Sequence, residues 1–250
     1  MSGIIRLIVI VGCGACAVIG CERRSSQNSA SQTPSPSGPI RTGTGIIRGT
    51  VTLSGNLPVM QTIPNRPCHA GAAELKDESV VVDGPGGLQN VVVYLEAPPH
   101  ALPAANLPAV VLDQVNCRYV PHVLTLRAGQ TLRVTTSDPT LHNVHGLCTE
   151  NEPFNFALIA PGQRKDLSFE HPEAFQIRCD VHPWMKAYVH VFAHPWFAVT
   201  GKGGTFEIKD VPSGVYTLVA WHEKYGLLHM QITAADGKIS VADITFQSGL

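Results

Sequence analysis

The segment Cys179-Asp180-Val181-His182-Pro183-Trp184-Met185 gathers a thiol, an imidazole and a thioether on one short loop at the end of the strand-like run Phe175 to Cys179. A structural cysteine, a surface histidine and a core methionine are each common singly, but few structural needs call for the three at this spacing. Soft sulfur suits Cu(I) and imidazole suits both copper oxidation states, so two imidazoles and a thiolate in a near-trigonal plane, with a weak axial thioether, make a blue-copper electron-transfer centre. The loop supplies three of those four donors. The fourth has to come from a distant strand, and Asp138-Pro139-Thr140-Leu141-His142-Asn143-Val144-His145, which follows the alternating run Thr131 to Thr136, offers His142. His145 lies three residues on in an extended segment, points to the opposite face and is expected at an edge. Zinc is the rival metal, but methionine is not a zinc ligand, and such a site would want a carboxylate, a third imidazole or water. The only C-x-x-C pair, Cys13 and Cys16, sits in the leader, so no c-type haem is expected. No H-x-H pairs for further copper centres occur.

These residues resemble the cupredoxins, in particular the amicyanin- and plastocyanin-like type 1 copper proteins, whose ligand loop also places two residues between Cys and His and between His and Met. The upstream His142-Asn143-Val144-His145 run is similar as well. The resemblance covers roughly Val110 to Ala193 and takes in Pro121 to Leu132, which is similar to the family's "L-x-V-x-x-G-x-T-V" hairpin, with Val189, His190 and Val191 as a last strand. It implies one copper ion held by His142, Cys179, His182 and Met185, with Asn143 hydrogen-bonding the two ligand loops together. Such a tie, and the stiffness of Pro183, limit ligand movement when the copper changes charge. It further implies an electron carrier that turns over no substrate and exchanges electrons with a redox protein, donor or acceptor, at the exposed edge of His182. Trp184 is either part of that contact patch or a shield against water. A copper-holding or delivery protein, and a surface carbohydrate- or protein-binding module, are the alternatives.

The elements around these residues read as all-β. Short apolar or alternating runs bounded by Gly, Pro, Asn and Asp occur at Ile46 to Leu53, Asn90 to Leu95, Tyr119 to Leu126, Thr131 to Thr136, Phe175 to Cys179, Ala187 to Phe192 and Tyr216 to Trp221. The stretch near Ala72 to Lys76 has room for one helical turn at most. Two β-sandwiches are expected. One is the cupredoxin Greek-key sandwich over residues 98–195. The other resembles the carboxypeptidase regulatory-like, transthyretin-type sandwich, through Gly49-Thr50-Val51 and Asn90 to Leu95 at its start. Phe197 to Ile208 and Val211 to Leu218 would supply its turn, its "G-x-F" strand and its "P-x-G-x-Y-x-L" strand. Its two parts, 45–97 and 196–250, are interrupted by the copper-binding domain, the arrangement of a domain inserted into a loop. Gly204 and Gly214 are expected at strand ends with positive φ, and Tyr216 and Leu218 on one face. Trp221-His222-Glu223 is assigned to packing and surface, distant in sequence from the ligand loop.

Residues 1–20 read as a lipoprotein signal peptide. Arg6 is its only charge, and the apolar stretch Leu7 to Gly20 is shorter than the roughly 20 residues of a spanning helix. Val18-Ile19-Gly20-Cys21 resembles the bacterial lipobox, which implies lipidation at Cys21 and an exported protein of the cell envelope held to a membrane by that lipid. Residues 21–44, rich in Ser, Pro, Gln and Gly, read as a disordered tether. In that oxidising setting Cys68, Cys117 and Cys148 permit one disulfide, for which Cys68 with Cys117 is the favoured pairing, because Cys148 is expected in a stretch open to solvent near the copper. With 18 basic and 19 acidic residues and no run of one sign, the chain carries no footprint for nucleic acid.

Overall fold

The computed structural model describes residues 43–63, 74–98 and 106–249. Cys21 and Cys68, the leader and nearly all of the tether lie outside the described residues. The chain opens with β1 (Gly45–Ser54), β2 (Val82–Asp83), β3 (Gly87–Leu88) and β4 (Val92–Leu95). The middle contributes β5 (Val110–Gln114), β6 (Tyr119–Val120), β7 (Val123–Arg127), β8 (Leu132–Thr136), β9 (His142–Gly146), β10 (Phe154–Leu158), β11 (Arg164–Leu167), β12 (Glu173–Arg178) and β13 (Lys186–Phe192). Strands β14 (Phe197–Val199), β15 (Thr205–Val211), β16 (Gly214–His222), β17 (Gly226–Ala234), β18 (Ile239–Val241) and β19 (Ile244–Gln247) complete it. The all-β expectation holds: among the described residues the only helical piece is a 3-10 turn at Lys202–Gly204. No helix there is long and apolar enough to cross a membrane. Glu74 and Leu75 form no helix, and Lys76 bridges to Thr62 instead.

The strands form four sheets. The first runs β15-β1-β3-β2, with β18 and β19 also on β1; the second runs β14-β4-β16-β17; the third β10-β9-β12-β13-β7; the fourth β11-β8-β5-β6. Chain order therefore places β1 to β4 and β14 to β19 in the first two sheets, and everything between in the other two. One core joins the first and second sheets through Ile47, Val51, Val93, Leu95, Phe206 and Leu218. Another joins the third and fourth through Leu112, Val134, Val144, Ile177 and Val189. A third, smaller cluster of Val92, Val123 and Phe192, with Tyr94, Tyr188, Phe197 and Trp221 against it, joins the second sheet to the third.

That last seam explains two unusual runs in the sequence. In β4, Val93 and Leu95 enter the first core while Val92 enters the seam; in β13, Ala187, Val189 and Val191 enter the second core while Phe192 enters the seam and Tyr188 packs against it. Strands covered on both faces read as nearly continuous apolar runs rather than strict alternations. Each fully buried Val, Leu or Phe contributes about 1.5–3 kcal/mol relative to exposure.

Two local features follow from the backbone. The run Tyr119 to Leu126 is one stretch in the sequence and two strands in the fold, because β6 pairs with β5 while β7 pairs with β13. The break falls at Pro121, which has no N–H to give to a ladder. Gly49 marks the place where β1 leaves β18 (Arg48 opposite Val241) for β19 (Val51 opposite Ile244). A Cβ there would lie 1.9 Å from the Ala242 carbonyl oxygen, so only glycine fits. Of the two other glycines, Gly204 has φ +70, as expected. Gly214 is not at positive φ; a Cβ there would approach the Tyr216 ring at 3.0 Å, and the Tyr216 hydroxyl donates to Pro212 O at 2.9 Å.

Candidate metal centre

Strands β12 and β13 pair antiparallel out to Arg178 opposite Lys186, so the segment between them closes as a tight hairpin end. Two bonds shape it: Cys179 N–H donates to Met185 O at 3.1 Å, and Met185 N–H to His182 O at 2.9 Å. Strand β9 pairs with the other edge of β12, His145 opposite Arg178, which brings the His142 end of β9 beside Cys179. The four donors expected from the sequence therefore come from the same end of one sheet. His142 is fully buried, Met185 is 1% exposed and Cys179 is 3% exposed, while His182 is half-buried.

His142 Nδ1 lies 3.1 Å from His182 Nδ1, and Cys179 Sγ lies 3.7 Å from His182 Nδ1. An ion about 2.0–2.3 Å from each nitrogen and sulfur spans donor pairs of about 3–4 Å, so these separations fit a single first-row metal. The imidazole edge that faces this group is set by its other edge. His142 Nε2 donates to Asp138 Oδ2 at 2.7 Å, which leaves Nδ1 as the unprotonated nitrogen, the one able to take a metal. Asp138 is itself anchored, because its carboxylate also accepts Asn116 N–H at 2.7 Å and Cys117 N–H at 2.8 Å.

Asn143 links the two segments. Its N–H points at Cys179 Sγ at 3.4 Å, and its Oδ1 accepts Asp180 N–H at 3.0 Å. Its side-chain N–H also bonds Asn155 Oδ1 on β10. Buried Tyr119 donates its hydroxyl to Asn143 O, which adds a third attachment from β6. Burial is the main cause that pushes the Tyr119 hydroxyl far above its ordinary pKa, so it stays a donor. Trp184 Nε1–H donates to Cys117 O at 3.0 Å, and its ring lies 5.2 Å from that of His182.

Cys117, His142 and His182 also place one donor atom each within 4.8 Å of one another. Cys117 is disulfide-bonded, so its sulfur carries no thiolate charge. It stands 4.0 Å from His142 Nε2, the edge already occupied by Asp138. Cys179 is a free thiol and remains the sulfur suited to bind metal. The partner of Cys117 lies outside the described residues, as does Cys68. Neither Asp138 nor the approach of Cys117 was read from the sequence. Asp138 stands four residues before His142, and an acidic residue just upstream of a candidate ligand is the signal that could have found it.

Other expectations resolve individually. His145 faces away from His142 along β9 and pairs with Asp180 at 3.0 Å, a contact that holds the Asp180 carboxyl below its usual range. Cys148 is not open to solvent: it is 6% exposed and packs in the second core. The chain past β9 continues beside β12, with Leu147 N–H on Gln176 O, and alternation turns Cys148 inward. Burial, with a contribution from Glu173, pushes its thiol up to about 12. Glu223 is not a surface residue either; its side chain is 3% exposed and reaches Lys186, the neighbour of Met185.

No family model matches this sequence, and no curated protein matches it. Similar solved structures include a copper-containing nitrite reductase from Thermus scotoductus SA-01, at 20% identity and TM-score 0.33 over 52% of this chain and 27% of the reductase. They also include a purple cupredoxin from Nitrosopumilus maritimus, at 24% identity and TM-score 0.29 over 33% of this chain and 97% of the cupredoxin. An amicyanin from Paracoccus versutus matches at 21% identity and TM-score 0.30 over 40% of this chain and 96% of the amicyanin. This chain thus spans about a quarter of the nitrite reductase's length. The reductase corrects one expectation from the sequence: with an enzyme among the similar structures, the absence of substrate turnover does not follow from this fold.

Proposed function

We propose that this chain holds one copper ion with His142, Cys179, His182 and Met185 and passes single electrons through it. The observation that carries the reading is the convergence of two Nδ1 atoms and a free thiol at 3.1 and 3.7 Å, with the far edge of His142 locked on a buried carboxylate. Copper in such a donor set supplies a one-electron couple. The chain's own residues hold the donors still. Asp138 fixes the His142 tautomer, Asn143 ties the two ligand segments, and the hairpin bonds of Met185 and Cys179 set the loop. Leu141 and Val181, each next to a ligand, are 44% and 52% exposed and give an apolar rim for a redox protein to meet.

On the same reading, residues 98–195 are the copper domain, set into a carboxypeptidase regulatory-like sandwich formed by 45–97 and 196–250. The protein is an exported lipoprotein of the cell envelope, anchored at Cys21 and tethered by 21–44; the Val18-Ile19-Gly20-Cys21 pattern supports this. The test is the visible spectrum of residues 22–250 with added Cu(II), beside the Cys179→Ser variant. An intense thiolate-to-copper band that disappears in the variant, and reversibly on reduction, is expected. A colourless wild-type protein would overturn the reading.

A further inference from the structure

Glu223 follows β16, in the second sheet, yet its buried carboxylate collects three donors from residues on or beside the third. His122 Nε2 bonds Oε1, Lys186 Nζ lies 2.8 Å from Oε2, and the Tyr188 hydroxyl donates to Oε2 at 3.0 Å. Tyr188 is held in turn by Gln176 Nε2–H at 3.1 Å, and its own N–H donates to His122 O at 2.9 Å. Burial by itself would raise the Glu223 carboxyl, but the hydrogen bonds and charges of His122 and Lys186 outweigh it and hold it at about 2. This is an ionised carboxylate, its side chain 3% exposed, with a full set of partners, the arrangement in which losing one member is most damaging.

Its position matters for the metal centre. Lys186 follows Met185 directly and begins β13, and His122 lines a cavity of about 20 Å³ together with Met185, Trp184 and Lys186. That volume has room for about one water. Asp77 and Lys76, from the connection between β1 and β2, also line it. The backbone of Met185 is already fixed to Cys179 and His182; Glu223 fixes the residue that follows it.

We propose that Glu223 is a positioning residue for Met185: the sandwich of the first two sheets sets the Met185 side of the candidate metal centre through this carboxylate. The proposal rests on the copper reading above. Without Glu223, the Lys186 ammonium, already 23% exposed, turns to solvent, and buried His122 loses its acceptor. Water then enters beside Met185, and the position and surroundings of its thioether, which would be one of the copper's four donors, change; the surroundings of a donor are a lever that tunes the potential of such a centre.

The experiment compares copper-loaded full-length wild type with Glu223→Gln, Glu223→Asp and Tyr188→Phe. It reads the position and intensity of the thiolate-to-copper band, the midpoint potential and the urea midpoint. Glu223→Gln should shift both band and potential, with Glu223→Asp lying between it and wild type and Tyr188→Phe shifting in the same direction by less. A Glu223→Gln protein that is less stable but has wild-type band and potential overturns the proposal, because a merely structural clasp predicts that pattern. Should Glu223→Gln not fold, Tyr188→Phe and Lys186→Met decide it: shifts in both support positioning, and wild-type spectra and potentials in both overturn it. A wild-type protein that develops no band overturns the copper reading and the proposal together, before any variant is compared.

Discussion

Replacing Asp138 with alanine should damage both the fold and the candidate metal centre. The carboxylate is 5% exposed and accepts three bonds, from His142 Nε2 at 2.7 Å, Asn116 N–H at 2.7 Å and Cys117 N–H at 2.8 Å. Hydrogen bonds to a charged group are worth about 1.5–3 kcal/mol net, so the three amount to roughly 5–9 kcal/mol before relaxation. Water can reach part of the turn, and effects at one centre are not additive, which brings the expected loss to about 3–5 kcal/mol. Little can replace the carboxylate from within, because Asn116 and Cys117 have φ of +52 and +53, a conformation non-glycine residues hold only with support. The assay is urea unfolding of metal-free protein near pH 7.5, comparing wild type, Asp138→Ala and Asp138→Asn. Asparagine keeps one oxygen and loses the charge, so its loss should be about half that of alanine. Cu(II) affinity of Asp138→Ala should also fall about 10–100-fold, the usual effect of removing the partner of a ligating histidine. A stability loss under about 1 kcal/mol, with copper affinity unchanged, would refute the assignment of Asp138 as the anchor of His142.

Acid should weaken the fold through buried histidines, beginning above the range in which ordinary carboxylates titrate. His190, His194 and His222 are buried, and burial is the main cause that brings each down to about 4. An unfolded histidine titrates near about 6.5. Between those values the unfolded chain takes up protons that the folded chain refuses, so stability falls as pH drops from about 6.5 to about 4 and is independent of these groups above about 7.5. Urea unfolding at pH 5 should show a combined loss of at least about 2 kcal/mol relative to pH 7.5, and equal stabilities would contradict the burial of these rings. With its thiol pushed up to about 12, Cys148 should react with a disulfide reagent at pH 8 about a thousandfold more slowly than an exposed cysteine, until denaturant is added. Rapid labelling of Cys148 in the folded protein, located by mass spectrometry, would count against its place in the core. Gly49→Ala drives a Cβ to 1.9 Å from a backbone oxygen and should cost about 3 kcal/mol or more, or prevent folding. Gly237→Ala, with φ +66 and open space, should cost only about 1 kcal/mol. Similar melting temperatures for the two variants would be evidence against the crossing at Gly49.

Much of the architecture was legible because strands and loops are local. Alternation and turn residues placed β1, β8, β12, β13 and β16 close to where they stand, and the spacing from Cys179 to His182 to Met185 described a loop whose shape is set by its own hairpin bonds. The step in the run Tyr119 to Leu126 was hidden because Pro121 divides it between two sheets, and a change of sheet leaves no mark in apolar periodicity. The sequence alone puts Cys148 in solvent, because the extension past β9 is decided by its hydrogen bond to β12 and not by its own residues.

The sequence by itself determined which residue types are present, which of them share a loop and where most of the short strands run. Only the tertiary structure decided which side chains meet: Cys117 N–H with Asp138 across 21 residues, Lys186 with Glu223 across 37, and His122 with Glu223 across 101. The reason is physical. Residue spacing fixes geometry only over the few residues that one turn or strand spans, whereas a buried carboxylate takes its partners from whichever strands the sheets stack against it.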